Sequence, residues 1–303
     1  MKWRRTKNRD VIDRRGAPAG RGGGGGIPMS LPGGTGGKIG GGLGVLVVLA
    51  IVALQVFGGG GDGGFAIPDA FDSATRAPGS AQPAPIPRGQ DPERELKDFS
   101  TFVFSDAQKT WDGTFSKQGD EYRRAQMVLF RDAVNTGGCG SATSAVGPFY
   151  CPADQRVYLD LSFYDELARQ LGAPGDFAWA YVIAHEMGHH IQRQLGTEAE
   201  VREAGSQDPS QENELSVRLE LQADCYAGVW GSTVTNLLEE GDLDEAFVAT
   251  EAIGDDRLQE RAGGTANPDT FTHGSSEQRR AWFENGFESG DPAACDTFSA
   301  DEL

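Results

Sequence analysis

The most constraining stretch of the sequence is residues 178–195, AWAYVIAHEMGHHIQRQL, which has the composition of a buried helix. His185 and His189 are four residues apart, so on a helix both imidazoles project from one face and reach a single metal ion. Glu186 lies between them, where it can hold a water at the metal. This H-E-x-x-H spacing predicts a zinc site, with His190 outside the ligand set. The alternative is a helix that merely contains histidines.

A third ligand is expected from a second helix. Catalytic zinc sites use three protein ligands and leave one position open. Position 195, where a longer motif would have a third histidine, is Leu195, which rules out that arrangement. Residues 216–230, SVRLELQADCYAGVW, form an amphipathic run in which Glu220 and Asp224 share a face. We expect Glu220 to bind zinc and Asp224 to accept a ring N–H from a ligand histidine. Taken alone, such an acidic pair is more typical of a solvated helix face.

The two motifs, with residues 138–167 and 272–298, resemble the putative neutral zinc metallopeptidase family, a gluzincin-like group of membrane-anchored bacterial proteins. The resemblance implies an α+β, mostly helical zincin-like domain with a small sheet. It implies Zn²⁺ as cofactor and a peptide or protein as substrate, with Glu186 as the general base. Two alternatives stay open: a zinc-stabilised envelope scaffold without turnover, and a zinc amidase acting on cell-wall peptides. The intact Glu186 argues against the scaffold, because a structural site needs no base.

Charge divides the chain into two parts. Residues 1–38 contain nine Lys or Arg and two Asp, although the whole chain has 27 basic and 45 acidic residues and a net charge of −18. So acidic a protein is a poor partner for nucleic acid. The nineteen uncharged residues 39–57 would form a helix about 28 Å long, enough to cross a bilayer. A buried core helix and a cleaved signal peptide are the alternatives.

The expected layout is that of a single-pass protein of the bacterial cell membrane. Residues 1–38 would be a basic, glycine-rich cytoplasmic tail and residues 39–57 the transmembrane helix, because basic residues favour the cytoplasmic side. Residues 58–90, rich in glycine and proline, would be a linker. Residues 91–303 would be the metallopeptidase domain, outside the cytoplasm.

Four cysteines in an exported domain predict two disulfides, with three possible pairings. A Cys139–Cys151 bond would close a short loop, and a Cys225–Cys295 bond would tie the C-terminal tail to the core. A cysteine zinc site is the alternative, but no C-x-x-C spacing supports it.

A strand within residues 144–150 is expected at a sheet edge, because Pro148 is tolerated best there. By analogy with gluzincins, a peptide would bind along it. His273 precedes a last helix that opens at residue 275 with a capping box, and it is a candidate to stabilise the oxyanion of the reaction. A structural role is the alternative for His273, and Tyr150 and Tyr158 are rival candidates.

Overall fold

The computed structural model describes residues 1–16, 86–87 and 89–303 of the chain. The fold is mostly helical with a small sheet, which confirms the α+β class. The helices are α1 (Arg94–Gln118), α2 (Phe163–Arg169), α3 (Asp176–Leu195), α4 (Thr197–Gln207), α5 (Glu212–Thr233), α6 (Asp242–Ala252), α7 (Asp255–Arg261) and α8 (Ser276–Ser289). The strands are β1 (Val11–Asp13), β2 (Gln126–Phe130), β3 (Ala133–Asn135), β4 (Ser141–Thr143), β5 (Phe149–Cys151) and β6 (Arg156–Asp160).

The main sheet has the strand order β1-β2-β6-β5. Strands β1, β2 and β6 are parallel, while β5 runs antiparallel to β6 and forms one edge. The strand expected within residues 144–150 begins later than its composition indicates. Residues Ser144–Val146 form a 3₁₀ turn, and Pro148 lies immediately before β5, where its missing N–H takes no ladder bond from the sheet. Strands β3 and β4 form a separate hairpin.

Helix α3 crosses the core, and glycines allow its neighbours to approach closely. A Cβ atom at Gly188 on α3 would lie 2.9 Å from the backbone of Ala223 on α5. Between α5 and α8 the approach is closer still: a Cβ at Gly228 would lie 2.0 Å from the carbonyl oxygen of Phe283, and one at Gly286 would lie 2.0 Å from that of Cys225. Contacts below 3 Å are repulsive, so these positions require glycine. Helices α3, α5 and α8 therefore form a tightly packed unit.

Two disulfides are present, as expected, and the structure shows which of the three possible pairings is formed. Cys139 and Cys151 link the β3–β4 hairpin to the end of edge strand β5, with Cα atoms 5.9 Å apart. Cys225 and Cys295 link α5 to the C-terminal tail, with Cα atoms 5.5 Å apart.

The first sixteen residues are part of the folded domain, which differs from the expectation of a separate cytoplasmic tail and of a domain that begins at residue 91. Strand β1 pairs with β2 along its whole length, and Arg15 is 4% exposed. The physical reason is complementarity with the acidic domain. Arg5 pairs with Asp98 at 2.9 Å, and the Trp3 ring packs edge-on against a phenylalanine of α1 at 5.6 Å between centroids.

The proposed transmembrane run, residues 39–57, lies outside the described residues, as do residues 17–38 of the expected tail and most of the expected linker. Among residues 1–16, 86–87 and 89–303, no helix combines the length and the apolar character needed to span a bilayer.

Candidate metal centre

The three proposed ligands converge on one point. The Nε2 atoms of His185 and His189 are 3.1 Å apart, and the Glu220 carboxylate lies 3.2 Å from the first and 3.5 Å from the second. The histidines come from consecutive turns of α3, and Glu220 comes from α5, which packs against α3 where Gly188 faces Ala223. Two imidazole nitrogens and a carboxylate oxygen are a typical ligand set for zinc.

The other ring nitrogen of each histidine is already held, which orients Nε2 toward the common point. His185 Nδ1 lies 2.8 Å from Asp224 Oδ1, and His189 Nδ1 lies 2.9 Å from Gln192 Oε1. Such partners fix the tautomer of a metal-binding histidine. The residues present therefore fit a zinc ion, and Asp224 lies where the sequence analysis expected it. Gln192 was not expected as a partner of His189, although its position three residues further along the same helix is a usable signal.

Asp224 is the centre of a buried polar network. Its side chain is fully buried and accepts hydrogen bonds from the Tyr181 hydroxyl at 2.6 Å and from Arg279 Nε at 2.8 Å. Arg279 Nη2 also donates to Asp224 at 3.0 Å and lies 3.9 Å from Glu220. These contacts place the Arg279 guanidinium between Asp224, which is bonded to His185, and the proposed ligand Glu220.

Arg279 was missed in the sequence analysis. Its position four residues before Phe283 on α8 puts a charge on the apolar face of a helix, which is a signal for a buried partner. Its side chain is 2% exposed, while that of its neighbour Arg280 is 45% exposed and pairs with Glu251 at 2.7 Å. The sequence alone does not distinguish these two adjacent arginines.

The charges at the site follow from burial and from these partners. Burial lowers the pKa of His185, but Asp224 and Glu220 outweigh that effect and raise it to about 10. Bound metal must therefore displace a proton from His185. Burial raises the pKa of Glu186, and His189 and His185 oppose the shift. A raised carboxyl pKa suits a group that takes up and releases a proton.

Glu186 and the ligands line a cleft with a cavity volume of about 170 Å³. Edge strand β5 forms one wall through Phe149 and Tyr150, and apolar side chains such as Val182 and Leu219 line other parts. An apolar cleft with a few convergent polar groups is the usual form of a substrate site.

His273 also lines this cleft. Its Nδ1 lies 3.1 Å from Asp255 Oδ1, and its backbone N–H donates to Asp255 Oδ2 at 2.7 Å. Burial lowers the pKa of His273, but Asp255 and Glu220 outweigh it and raise the pKa. The capping box expected for the following helix is confirmed, with Ser275 accepting from the backbone N–H of Gln278.

The two tyrosine candidates have other partners. Tyr150 lines the cleft, but its hydroxyl lies 3.1 Å from His190 Nδ1. The buried Tyr158 donates to Asp154 at 2.6 Å. Tyr158 is not among the residues that line the cleft. His190 is fully buried, and its two ring nitrogens are hydrogen-bonded to the Tyr150 hydroxyl and to the Arg123 carbonyl. It therefore lies outside the ligand set, as expected.

Helix α3 carries the H-E-x-x-H spacing, and helix α5 carries the third candidate ligand. This arrangement is typical of a class of H-E-x-x-H metal proteins in which a second helix supplies the third ligand. Within that class, the chain belongs to the putative neutral zinc metallopeptidase family, whose family model matches residues 1–298. The resemblance seen in the sequence is thereby confirmed.

Two bacterial relatives illustrate the breadth of the family. The chain is 44% identical over 302 residues to the uncharacterized protein YpfJ of Escherichia coli K12, which covers 98% of this chain and 99% of that protein. It is 45% identical over 195 residues to the uncharacterized protein Rv2575 of Mycobacterium tuberculosis, which covers 60% of this chain and 65% of that protein. No solved structure matches the chain.

Proposed function

We propose that the protein is a zinc metallopeptidase that hydrolyses peptide bonds with Glu186 as its general base. The observation that carries the proposal is the convergence of His185, His189 and Glu220, with both histidine Nδ1 atoms held by other side chains. Glu186 lines the same cleft as these three residues. A purely structural zinc site is closed by four protein ligands, whereas a catalytic one keeps a position open.

Each residue of the site has a role in this proposal. Zinc held by the three ligands would polarise the substrate carbonyl and make water nucleophilic near neutral pH. The Glu186 carboxylate takes the proton of the attacking water and later delivers it to the leaving amine, which its raised pKa favours. His273, hydrogen-bonded to Asp255, donates to the oxyanion that forms as the carbonyl is attacked. Asp224 and Arg279 hold His185 in place.

The architecture of the cleft supports a peptide as substrate. In the described part of the chain, strand β5 pairs with β6 alone, and its residues Phe149 and Tyr150 border the cleft. An extended peptide can add to such an edge through backbone hydrogen bonds while its side chains enter apolar pockets. The Cys139–Cys151 bond fixes the end of this strand. A rigid edge favours binding, since less conformational entropy is lost.

For location, we propose the outer face of the bacterial cell membrane. The two disulfides support an oxidising compartment. The apolar run at residues 39–57 supports attachment to the bilayer.

The test of the ligand set is metal analysis of purified full-length protein. One zinc per chain is expected in the wild type, and His189→Ala and Glu220→Ala should each lose most of it. His190→Gln is the matched control, because it changes the adjacent histidine and should keep full occupancy. Full zinc in both ligand variants would refute the site. A zinc-loaded wild type that cleaves nothing in a peptide library would refute the peptidase activity and favour an envelope scaffold, or an amidase if cell-wall peptides are cleaved instead.

A further inference from the structure

The N-terminal segment, residues 1–16, has no role in the site described above. It is nevertheless bound to the domain by strand pairing and by side-chain contacts. Strand β1 pairs in parallel with β2 in the register Val11↔Met127 to Asp13↔Leu129. Two further backbone hydrogen bonds extend the pairing. The Met127 N–H donates to the Asp10 carbonyl at 2.8 Å, and the Arg14 N–H donates to the Leu129 carbonyl at 2.7 Å. Without the segment, a buried strand of the main sheet would become an open edge.

Arg15 anchors the end of the segment. Its guanidinium donates to Asp91 at 2.6 and 3.0 Å, to Asp13 at 2.9 and 3.0 Å, and to Glu93 at 3.0 Å. The side chains of Arg15 and Asp91 are 0% and 2% exposed. A buried guanidinium is stable only with such partners, and removal of the arginine would leave buried carboxylates unpaired.

Asp91 and Glu93 lie just before helix α1, the first helix of the domain. The Arg15–Asp91 ion pair therefore joins the end of the N-terminal segment to the residues just before α1.

Other contacts hold the segment along its length. Arg124 of the domain pairs with Asp10 at 2.8 Å, Lys97 of α1 pairs with Asp13 at 2.8 Å, and the Asn8 amide donates to Ser105 at 2.9 Å. Of the basic residues in the segment, Arg5 and Arg15 have acidic partners on the domain, Asp98 and Asp91.

We infer that residues 1–16 and the metal-binding domain lie on the same side of the membrane. A single crossing between them would separate Arg15 from Asp91 by a hydrocarbon layer about 30 Å thick, whereas the two side chains are in contact. This inference replaces the orientation expected from the charge pattern, in which the N-terminus is cytoplasmic and the domain is outside.

The test places one cysteine on each part of the full-length protein in its native membrane. Lys7→Cys lies in the segment and Lys109→Cys on α1, and both positions are exposed. Intact cells are treated with a membrane-impermeant maleimide, before and after permeabilisation. The two variants should be labelled alike, either both in intact cells or both only after permeabilisation. Labelling of one in intact cells and of the other only after permeabilisation would overturn the inference. The same experiment tests the inference and the proposed location separately. If both variants are labelled only after permeabilisation, the proposed location is refuted while the inference stands.

Docking of the segment is tested separately with Arg15→Gln and with Arg9→Gln as the matched control, since Arg9 is exposed on the same segment. Trypsin cleavage within residues 1–16 of purified full-length protein should be roughly tenfold or more faster in Arg15→Gln than in the wild type. Arg9→Gln should cleave no faster than the wild type. Equal cleavage of the Arg15→Gln and wild-type segments would show that the anchor does not hold it, which contradicts the inference.

Discussion

Arg279 provides the strictest test of the network that supports the proposed metal ligands. Arg279→Met removes two hydrogen bonds to Asp224 at 2.8 and 3.0 Å and one to the Tyr181 hydroxyl at 3.2 Å, together with a longer one to the Ile253 carbonyl at 3.4 Å. Methionine has a similar length and no charge, so the buried volume is largely kept while the Asp224 carboxylate loses its cation.

The expected magnitude follows from the burial of both partners. Removing one partner of a buried ion pair typically costs about 3–5 kcal/mol of stability. Asp224 would keep its contacts with Tyr181 and His185, so we expect a loss near the lower end, about 3 kcal/mol. Arg280→Met is the matched control. That neighbouring side chain is 45% exposed, so its pair with Glu251 should be worth about 0.5–1 kcal/mol at most.

The assay is urea unfolding of zinc-loaded wild type and variants, combined with zinc affinity measured by competition with a chelator. Because Asp224 orients His185, Arg279→Met should also weaken zinc binding by about 10-fold to 100-fold, and Arg280→Met should not. The double variant Arg279→Met/Asp224→Asn should regain part of the lost stability, since no buried charge is then left unpaired. A loss of stability in Arg279→Met no greater than in Arg280→Met would refute the reasoning.

Two further predictions concern the N-terminal segment and the helix packing. Burial raises the pKa of Asp13, but Arg15 and Lys97 outweigh it and lower the pKa to about 2, so the stabilisation is present above about pH 4 and is lost as the pH falls toward 2. The difference in free energy of unfolding between wild type and Asp13→Asn should therefore shrink by about 1 kcal/mol over that range after allowance for solvent screening; a difference that grows on acidification would contradict it. Gly228→Ala should lower the free energy of unfolding by about 1–3 kcal/mol, because its Cβ would lie 2.0 Å from a backbone oxygen of α8. Gly113→Ala, in open space on α1, should raise it by about 0.5–1 kcal/mol, and equal effects of the two changes in denaturant unfolding would refute the packing argument.

Local patterns were sufficient to predict much of the metal centre. The four-residue spacing of His185 and His189 fixes their common face once a helix forms, and the same spacing links Glu220 to Asp224. Neither depends on how distant parts of the chain meet. Two disulfides were expected from the four cysteines, but the choice among the three possible pairings required the structure.

What could not be predicted depends on contacts between distant segments. Strand β1 is only three residues long and pairs with a strand more than a hundred residues further along, so it has no local signal of its own. A cluster of basic residues before an apolar run reads as a membrane flank unless the acidic partners such as Asp91 and Asp98 are known. Likewise, only the packing of α8 against α5 distinguishes Arg279 from Arg280.

The most direct test of the peptidase proposal compares peptide cleavage by zinc-loaded wild type and Glu186→Gln. Because Glu186 contributes to the cleft but not to the three ligands, the variant should keep its zinc and its stability. Loss of the general base should lower the cleavage rate by a factor of about 10² to 10⁴. Equal rates in the two proteins, or cleavage by the wild type that persists after the zinc is removed by a chelator, would contradict the proposal.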